Sequence, residues 1–255
     1  MLHNDDFFKD RLEDMFLSAD RNVSLSYSQF LDSSEIALAK KIIPKLKTSY
    51  PQVDYLFWGG FENAERQILC IHNTLIEISL QDFPLKVIEF NYNTNFSKLT
   101  HRDFLGAIMS LQVKRNSLGD IIVGTGTSQI VVSSSICNLI LNEITCIGKL
   151  GVKSKMLDKV SLIVEQSFKE ISSTVASLRL DCIVGTALNI SRTKSVQLIK
   201  SKMVTINYLE VISPSALIQM GDIITIKGFG KFIIDTISSE LTKKGRLHIL
   251  IKKYL

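Results

Sequence analysis

The stretch Ser191–Asn207, "SRTKSVQLIKSKMVTIN", decides the fold. Ser191 has the chemistry of a helix N-cap, because its hydroxyl can accept from a free backbone N–H of the first turn. Val196, Leu198 and Ile199 supply an apolar face, and Met203–Asn207, "MVTIN", reads as a strand with almost no linker before it. A short helix that runs straight into a strand is held at a fixed angle by the sheet which that strand joins. Arg192 and Lys194 fall in the first turn of the helix, where the dipole prefers anions. An external phosphate at that end would remove the conflict. Lys200 and Lys202 fall at the far end, where the dipole alone accounts for them. With Arg179 just upstream, these five cations leave two readings open, solvated surface charge and nucleic-acid contact.

Working outward, the charge is unevenly placed. The chain has 255 residues and a formal net charge of +5, but residues 1–100 are net −4, residues 101–170 net +2 and residues 171–255 net +7. The last third is therefore a basic body of its own, suited to nucleic acid, anionic lipid or acidic protein. Hydrophobic residues make up 45% of the chain, which excludes a disordered class. Cys70, Cys137, Cys146 and Cys182 form no C-x-x-C pair and read as reduced, buried thiols. His3, His72, His101 and His248 lack metal-ligand spacing, so neither a metal nor a cofactor is expected. The acidic start "MLHNDDFFKD" is no signal peptide, and no apolar run reaches membrane-spanning length; a cytoplasmic protein without a membrane partner is expected.

The fold class expected is α+β, in three parts. Residues 1–82 form an N-terminal helical α+β region. "DDFFKDRLEDMFLSADR" (5–21) and "SYSQFLDSSEIALAKKIIPKLK" (26–47) both read as amphipathic helices, with Pro51 breaking the pattern. "VDYLFWGGFENAERQILCI" (53–71) reads as a strand, a Gly59–Gly60 turn, a short helical piece and a second strand, and "LIEISL" (75–80) as extended. Residues 83–165 run β-α-β-β-α-β, the ferredoxin-like order, with Thr100 capping the first helix and a hairpin joining "GDIIVGTG" to "SQIVVS". Residues 157–177 are expected to link two bodies. Residues 176–255 hold two helices, "LRLDCIVGTALNI" (178–190) and the opening stretch, then short strands; "GDIITIKGFGKFIID" (221–235) reads as a strand bent at Gly228 and Gly230.

The pattern Arg179-Leu180-Asp181, Ser191-Arg192, Lys194, Leu198-Ile199, Val204-x-Ile206-Asn207 and Gly221-Asp222 resembles the S4-type (alpha-L) RNA-binding module. That resemblance implies one RNA-facing surface made of two helices and a small β-sheet, with phosphate contacts from Arg192, Lys194, Lys200 and Lys202, and with Arg179, Ser191 and Asn207 also among the RNA-binding residues. Asp181 and Asp222 would serve capping and turn geometry. Tyr208 follows Asn207 where many S4 modules carry glycine, and its ring could stack on a base or pack. "FWGGFENAERQ", "HRDFLGAIMSLQVKRNSLGDI" and "KGFGKF" extend the resemblance over essentially the whole chain, to the YlmH family of bacterial S4-domain proteins. It implies a ribosome-associated RNA-binding protein, with rRNA and tRNA as ligands, at the large subunit, in quality control of stalled translation. It also implies RNA contact by His101 and Arg102, which capping of their helix could equally explain. A monomer is expected.

Other motifs carry less. His101–Asp103, "HRD", lacks the asparagine of a kinase catalytic loop, because Ile108 stands there. "GTGTS" (124–128) lacks a phosphate-loop lysine and reads as a turn. "KGFGKFII" (227–234) is similar to an RNA-stacking octamer but has Lys231 where an aromatic belongs; it reads as a glycine-bent hairpin offering Lys227, Phe229 and Lys231 to RNA. "SQIVVS" has no aromatics, so the usual stacking platform of a ferredoxin-like sheet is missing, and Trp58 reads as core. Two alternatives to a non-catalytic RNA binder stand. One is an RNA-modifying enzyme in a pseudouridine synthase-like context, although "GRLH" (245–248) has histidine where that family's loop has aspartate. The other is a protein-interaction adaptor linked to cell division, with the acidic N-terminal third as its surface.

Overall fold

The structure is a computed structural model that describes residues 2–95, 98–162 and 167–255, without the side chains of residues 2–5, 239 and 241. The chain divides into two compact units, with the division between residues 162 and 167. The boundary expected at residue 165 lies outside the described residues.

The first unit opens with α1 (Leu2–Asn22), β1 (Leu25–Leu31), α2 (Ser33–Ser49), β2 (Val53–Trp58) and β3 (Gln67–Asn73). The strands form an antiparallel sheet in the order β1-β3-β2. Leu12, Phe16 and Ala19 of α1 recur at helical spacing and pack with Ala39 and Ile43 of α2 on Leu69 and Ile71 of β3. The stretch expected as one helix from 26 to 47 is thus a strand followed by a helix. Asp32 decides this: its carboxylate accepts from the N–H groups of Ser34 and Glu35, and Glu35 accepts from the Asp32 N–H, all at 2.9 Å. This capping box starts α2 at Ser33. Upstream, Ser28 and Phe30 are buried on either side of exposed Gln29, the alternation of a strand.

The short helical piece expected before β3 does not form. The N–H groups of Glu65 and Arg66 donate instead to the Asp120 carboxylate, at 2.6 and 3.2 Å, and the backbone turns there. "LIEISL" is a loop closing in a single 3-10 turn, Leu80–Asp82, capped by Ser79.

The same unit continues with β4 (Leu85–Asn91), α3 (His101–Met109), β5 (Leu118–Val123), β6 (Thr127–Ser133), α4 (Ser134–Glu143), a small β7–β8 hairpin (Cys146–Ile147, Leu150–Gly151) and β9 (Lys153–Leu157). The main sheet is antiparallel, in the order β5-β6-β4-β9. One face carries α3 and α4: Ile88, Phe90, Ile130 and Val132 pack on Phe104, Ile108, Cys137 and Ile140. The opposite face is covered too. Val131 meets Phe30, Ile68 and Phe83, joining this sheet to the β1-β3-β2 sheet in one apolar cluster. Gly119 marks how close the approach is, because a Cβ there would lie 2.8 Å from the Phe30 ring. Cys146 is exposed, against the expectation of a buried thiol, because it begins the β7–β8 hairpin outside the helix face.

The second unit comprises β10 (Phe168–Val175), α5 (Leu180–Leu188), α6 (Arg192–Lys200), β11 (Val204–Ile206), β12 (Leu209–Glu210), β13 (Ile223–Ile226), β14 (Gly230–Leu241) and β15 (Leu247–Tyr254). Its sheet is antiparallel in the order β10-β15-β14-β13-β11-β12. The segment expected as a linker is therefore, from Phe168 to Val175, an edge strand paired along its whole length with β15. The expected bent strand is two strands, turning through Lys227–Phe229 with Gly228 and Gly230 at φ of 85° and 110°. Ile224, Ile226, Phe232, Ile234, Ile249 and Ile251 form the inner face and pack on Leu180, Ile183 and Val184 of α5 and Ile199 of α6. Among the described residues no helix is long and apolar enough to cross a membrane.

Candidate nucleic-acid interface

The backbone around α5 and α6 is fixed by hydrogen bonds that leave the cations of α6 exposed. The Leu180 and Asp181 N–H groups, orphans of the first turn of α5, donate to the carbonyls of Ala216 and Pro214 at 2.8 and 3.0 Å. Asn189 ends α5 at φ 52°, a left-handed cap. Ser191 caps α6 by accepting from the Lys194 N–H at 3.4 Å, as its type predicts. The two helices meet closely: a Cβ on Gly185 would lie 3.3 Å from Ser195 Oγ, and Ser195 is fully buried, donating to Ser191 O or Arg192 O.

At this junction sits Asp181, whose side chain is 1% exposed. Arg179 donates to it through Nε and Nη2, each at 3.1 Å and to a different oxygen. Arg192 donates from Nε at 2.9 Å. Burial alone would raise the Asp181 pKa, but the hydrogen bonds from Arg179 and then Arg192 outweigh it and bring it down to about 2. The conflict expected between Arg192 and the helix dipole is thus met from within, by the Asp181 carboxylate rather than by an external phosphate. Asp181 itself is more than a capping residue: it anchors two guanidiniums. Arg192 Nη2 is also 2.9 Å from the same oxygen, and the two arginine side chains remain 37% and 64% exposed, so each guanidinium is anchored on Asp181 while still reached by solvent.

The other candidates fall around this centre. Lys194 and Lys200 are exposed on α6, with no ion pair among the described residues. Lys202 takes a left-handed backbone (φ 59°) and pairs with Glu210 at 3.6 Å, so part of its charge is used internally. Phe229, 45% exposed at the β13–β14 turn, lines a groove of about 600 Å³ with Lys194, Gln197 and Leu198. Phe229 and Lys194, separate in sequence, are brought together across that groove. Lys227 is exposed at the same turn. Asn207 is occupied: its amide donates to Asp222 at 2.8 Å and its carbonyl accepts from the Ile223 N–H at 2.9 Å, which fixes the β11–β12 turn against β13. Asp222 does serve turn geometry, accepting also from the Gln219 N–H. Tyr208 and Lys231 meet elsewhere, the Lys231 ammonium 5.4 Å from the ring centroid.

His101 and Arg102 belong to the first unit. Both are exposed in the first turn of α3, and capping falls to their neighbours: the Asp103 carboxylate accepts from the Thr100 N–H and hydroxyl, each at 2.7 Å. Desolvation, reinforced by the Arg115 charge, lowers the His101 pKa and favours the neutral ring. Sequence reasoning also passed over Tyr254 and Phe168, whose rings stand 4.9 Å apart edge to face. Only strand register could have found them, since residues 168 and 254 stand at opposite ends of the unit's sequence and meet through the β10–β15 pairing. Among the described residues no cluster of three or more histidines, cysteines or acids could hold a metal.

Residues 79–161 match the family described as "Putative RNA-binding domain in YlmH". Over 90% of its length the chain is 30% identical to the ribosome-associated protein quality control protein P2 of Bacillus subtilis (strain 168), of which it covers 87%. Among solved structures it is similar to the cell division protein ylmH from Streptococcus pneumoniae, at 21% identity and a TM-score of 0.50. That match spans 60% of this chain and 91% of the other, and it speaks for the fold alone.

Proposed function

This chain belongs to the YlmH family, and we propose that it is a non-catalytic RNA-binding protein of the cytoplasm that acts on the ribosome. It would hold rRNA or tRNA at the large subunit, as a monomer and without a cofactor, in quality control of stalled translation. The relative from Bacillus subtilis is named for ribosome-associated quality control, and the family matched by residues 79–161 is described by RNA binding rather than by a reaction.

One observation carries the reading: buried Asp181 holds Arg179 and Arg192 in a fixed, outward fork beside the N-terminus of α6. Such a fork suits phosphate oxygens, and its ordering is complete before the ligand arrives. Lys194, Lys200, Lys202, Lys227 and Ser191 would extend the phosphate contacts, with Phe229 offering a base-sized apolar wall and Asn207 holding the turn. The order β13-β11-β12 beside α5 and α6 supports an S4-type module in residues 176–255. The β5-β6-β4-β9 order with two helices on one face supports a ferredoxin-like fold for residues 83–165, following an N-terminal region of residues 1–82 that shares a core with it. His101 and Arg102 would be that part's contribution to RNA contact.

Sedimentation with purified ribosomal subunits at physiological salt tests the proposal. Wild type should co-migrate with the large subunit, and Lys194→Glu with Lys200→Glu should not. These two lysines are preferred to Arg192, whose reversal would set a carboxylate against buried Asp181. Wild type that sediments with neither subunit overturns the ribosomal reading.

A further inference from the structure

The sheet of the second unit has a face turned away from α5 and α6, and that face carries a row of rings. Along β13, β14 and β15 the inner positions are the buried isoleucines and Phe232, so Thr225, Lys231 and Tyr254 point outward by alternation. Register aligns them. Thr205 pairs with Thr225, and Thr225 with Lys231. Lys231 and Tyr254 flank the Phe232–Lys253 pair, and Tyr254 pairs with Phe168 of β10. The Lys231 ammonium lies 5.4 Å from the Tyr208 ring centroid and 5.0 Å from that of Tyr254. Phe168 closes the row, 37% exposed.

Tyr208 gives the row its meaning. Asn207 and Tyr208 form the two-residue turn between paired Ile206 and Leu209, at φ of 48° and 68°. This is a turn in which glycine is favoured at the second position, and a bulky residue is an outlier there. A strained side chain on a surface turn points to a use for that side chain. Here the use is a ring projected next to a cation, in the most basic third of the chain.

Resting on the RNA-binding reading above, we propose that Tyr208, Lys231, Tyr254 and Phe168 form a stacking platform for unpaired RNA bases. It lies on the sheet face opposite α5 and α6, distinct from the Asp181-anchored fork. Aromatic rings on a strand face stack bases without regard to sequence, and a lysine among them meets the backbone phosphate. The platform selects single-stranded RNA, since paired bases offer no free ring face, whereas the fork and the α6 lysines accept phosphates of either form.

The test uses fluorescence anisotropy of the full chain with a labelled 12-nucleotide single-stranded RNA and a 12-base-pair RNA duplex. Tyr208→Gly removes the ring and the strain together, so its melting temperature should equal or exceed that of wild type. It should bind the single strand about 10- to 100-fold more weakly and the duplex unchanged. Tyr208→Phe should restore single-strand binding. Phe168→Thr, at an exposed position in a β-favouring residue type, gives a second reading independent of the turn. Lys194→Glu with Lys200→Glu should weaken both RNAs. If wild type binds both RNAs and neither ring variant changes the single strand, or if both RNAs weaken equally, the platform is overturned while the RNA reading stands. If wild type binds neither RNA, both fall.

Discussion

Arg192, the first residue of α6, donates a 2.9 Å hydrogen bond to Asp181, the second residue of α5, and the same carboxylate also holds Arg179. A single buried acid therefore ties the first turns of two helices together and anchors two guanidiniums.

Asp181→Asn should lower stability by about 2 kcal/mol at neutral pH, because the folded-state pKa of about 2 lies well below the ordinary carboxylate value. The sign follows from the direction. A depressed carboxylate contributes fully above its unfolded pKa, near 4, and loses that contribution as pH falls toward 2. Urea denaturation between pH 2 and pH 7 should show this acid-side loss in wild type and much less of it in the variant.

RNA affinity should depend strongly on salt. With about six cations meeting phosphates, the slope of log K against log salt should be roughly −4 to −5. Lys194→Glu with Lys200→Glu should shrink its magnitude by about 1 to 2, with the melting temperature preserved, since both side chains are exposed. A salt titration of binding measures both slopes.

Thr225→Val should leave stability unchanged or raise it by up to about 1 kcal/mol. Among the described residues the buried Thr225 hydroxyl has no hydrogen-bond partner, and removing it relieves that cost. Denaturant midpoints of the two proteins decide the matter.

Gly119→Ala should destabilise the first unit by about 1 to 3 kcal/mol, since the new Cβ would meet the Phe30 ring at 2.8 Å and Val131 Cβ at 3.1 Å. Adding Phe30→Leu should recover part of that loss in thermal melts, a coupling that two independent sites would not show.

The parts of the fold legible in the sequence were those in which one segment carries its own signal. Helical spacing in Phe104 and Ile108, the Thr100 cap and the Gly-rich turn before "SQIVVS" all speak locally, and α3, β5 and β6 follow them. β1 was hidden because its boundary depends on which backbone Asp32 caps. Residues 61–66 were misread because Asp120, more than fifty residues away, takes the N–H groups a helix would have used. β10 was hidden because "FKEISSTV" is weakly apolar and becomes a strand only through its pairing with β15. At the candidate interface the cations were visible as residue types. The role of Asp181 was not, because burial and a partner on the next helix are tertiary facts.

The apolar seam between Val131 and Phe30 bears on how the molecule can be dissected. A fragment cut to the family-matched span would strip the β1-β3-β2 sheet from this face and lay Phe83, Leu85 and Val131 open to water. Such a piece would be adhesive, and its capture of RNA, protein or vessel walls would say little about the intact chain. Deletion mapping is informative here only when the cut falls between residues 162 and 167, where the two compact units separate.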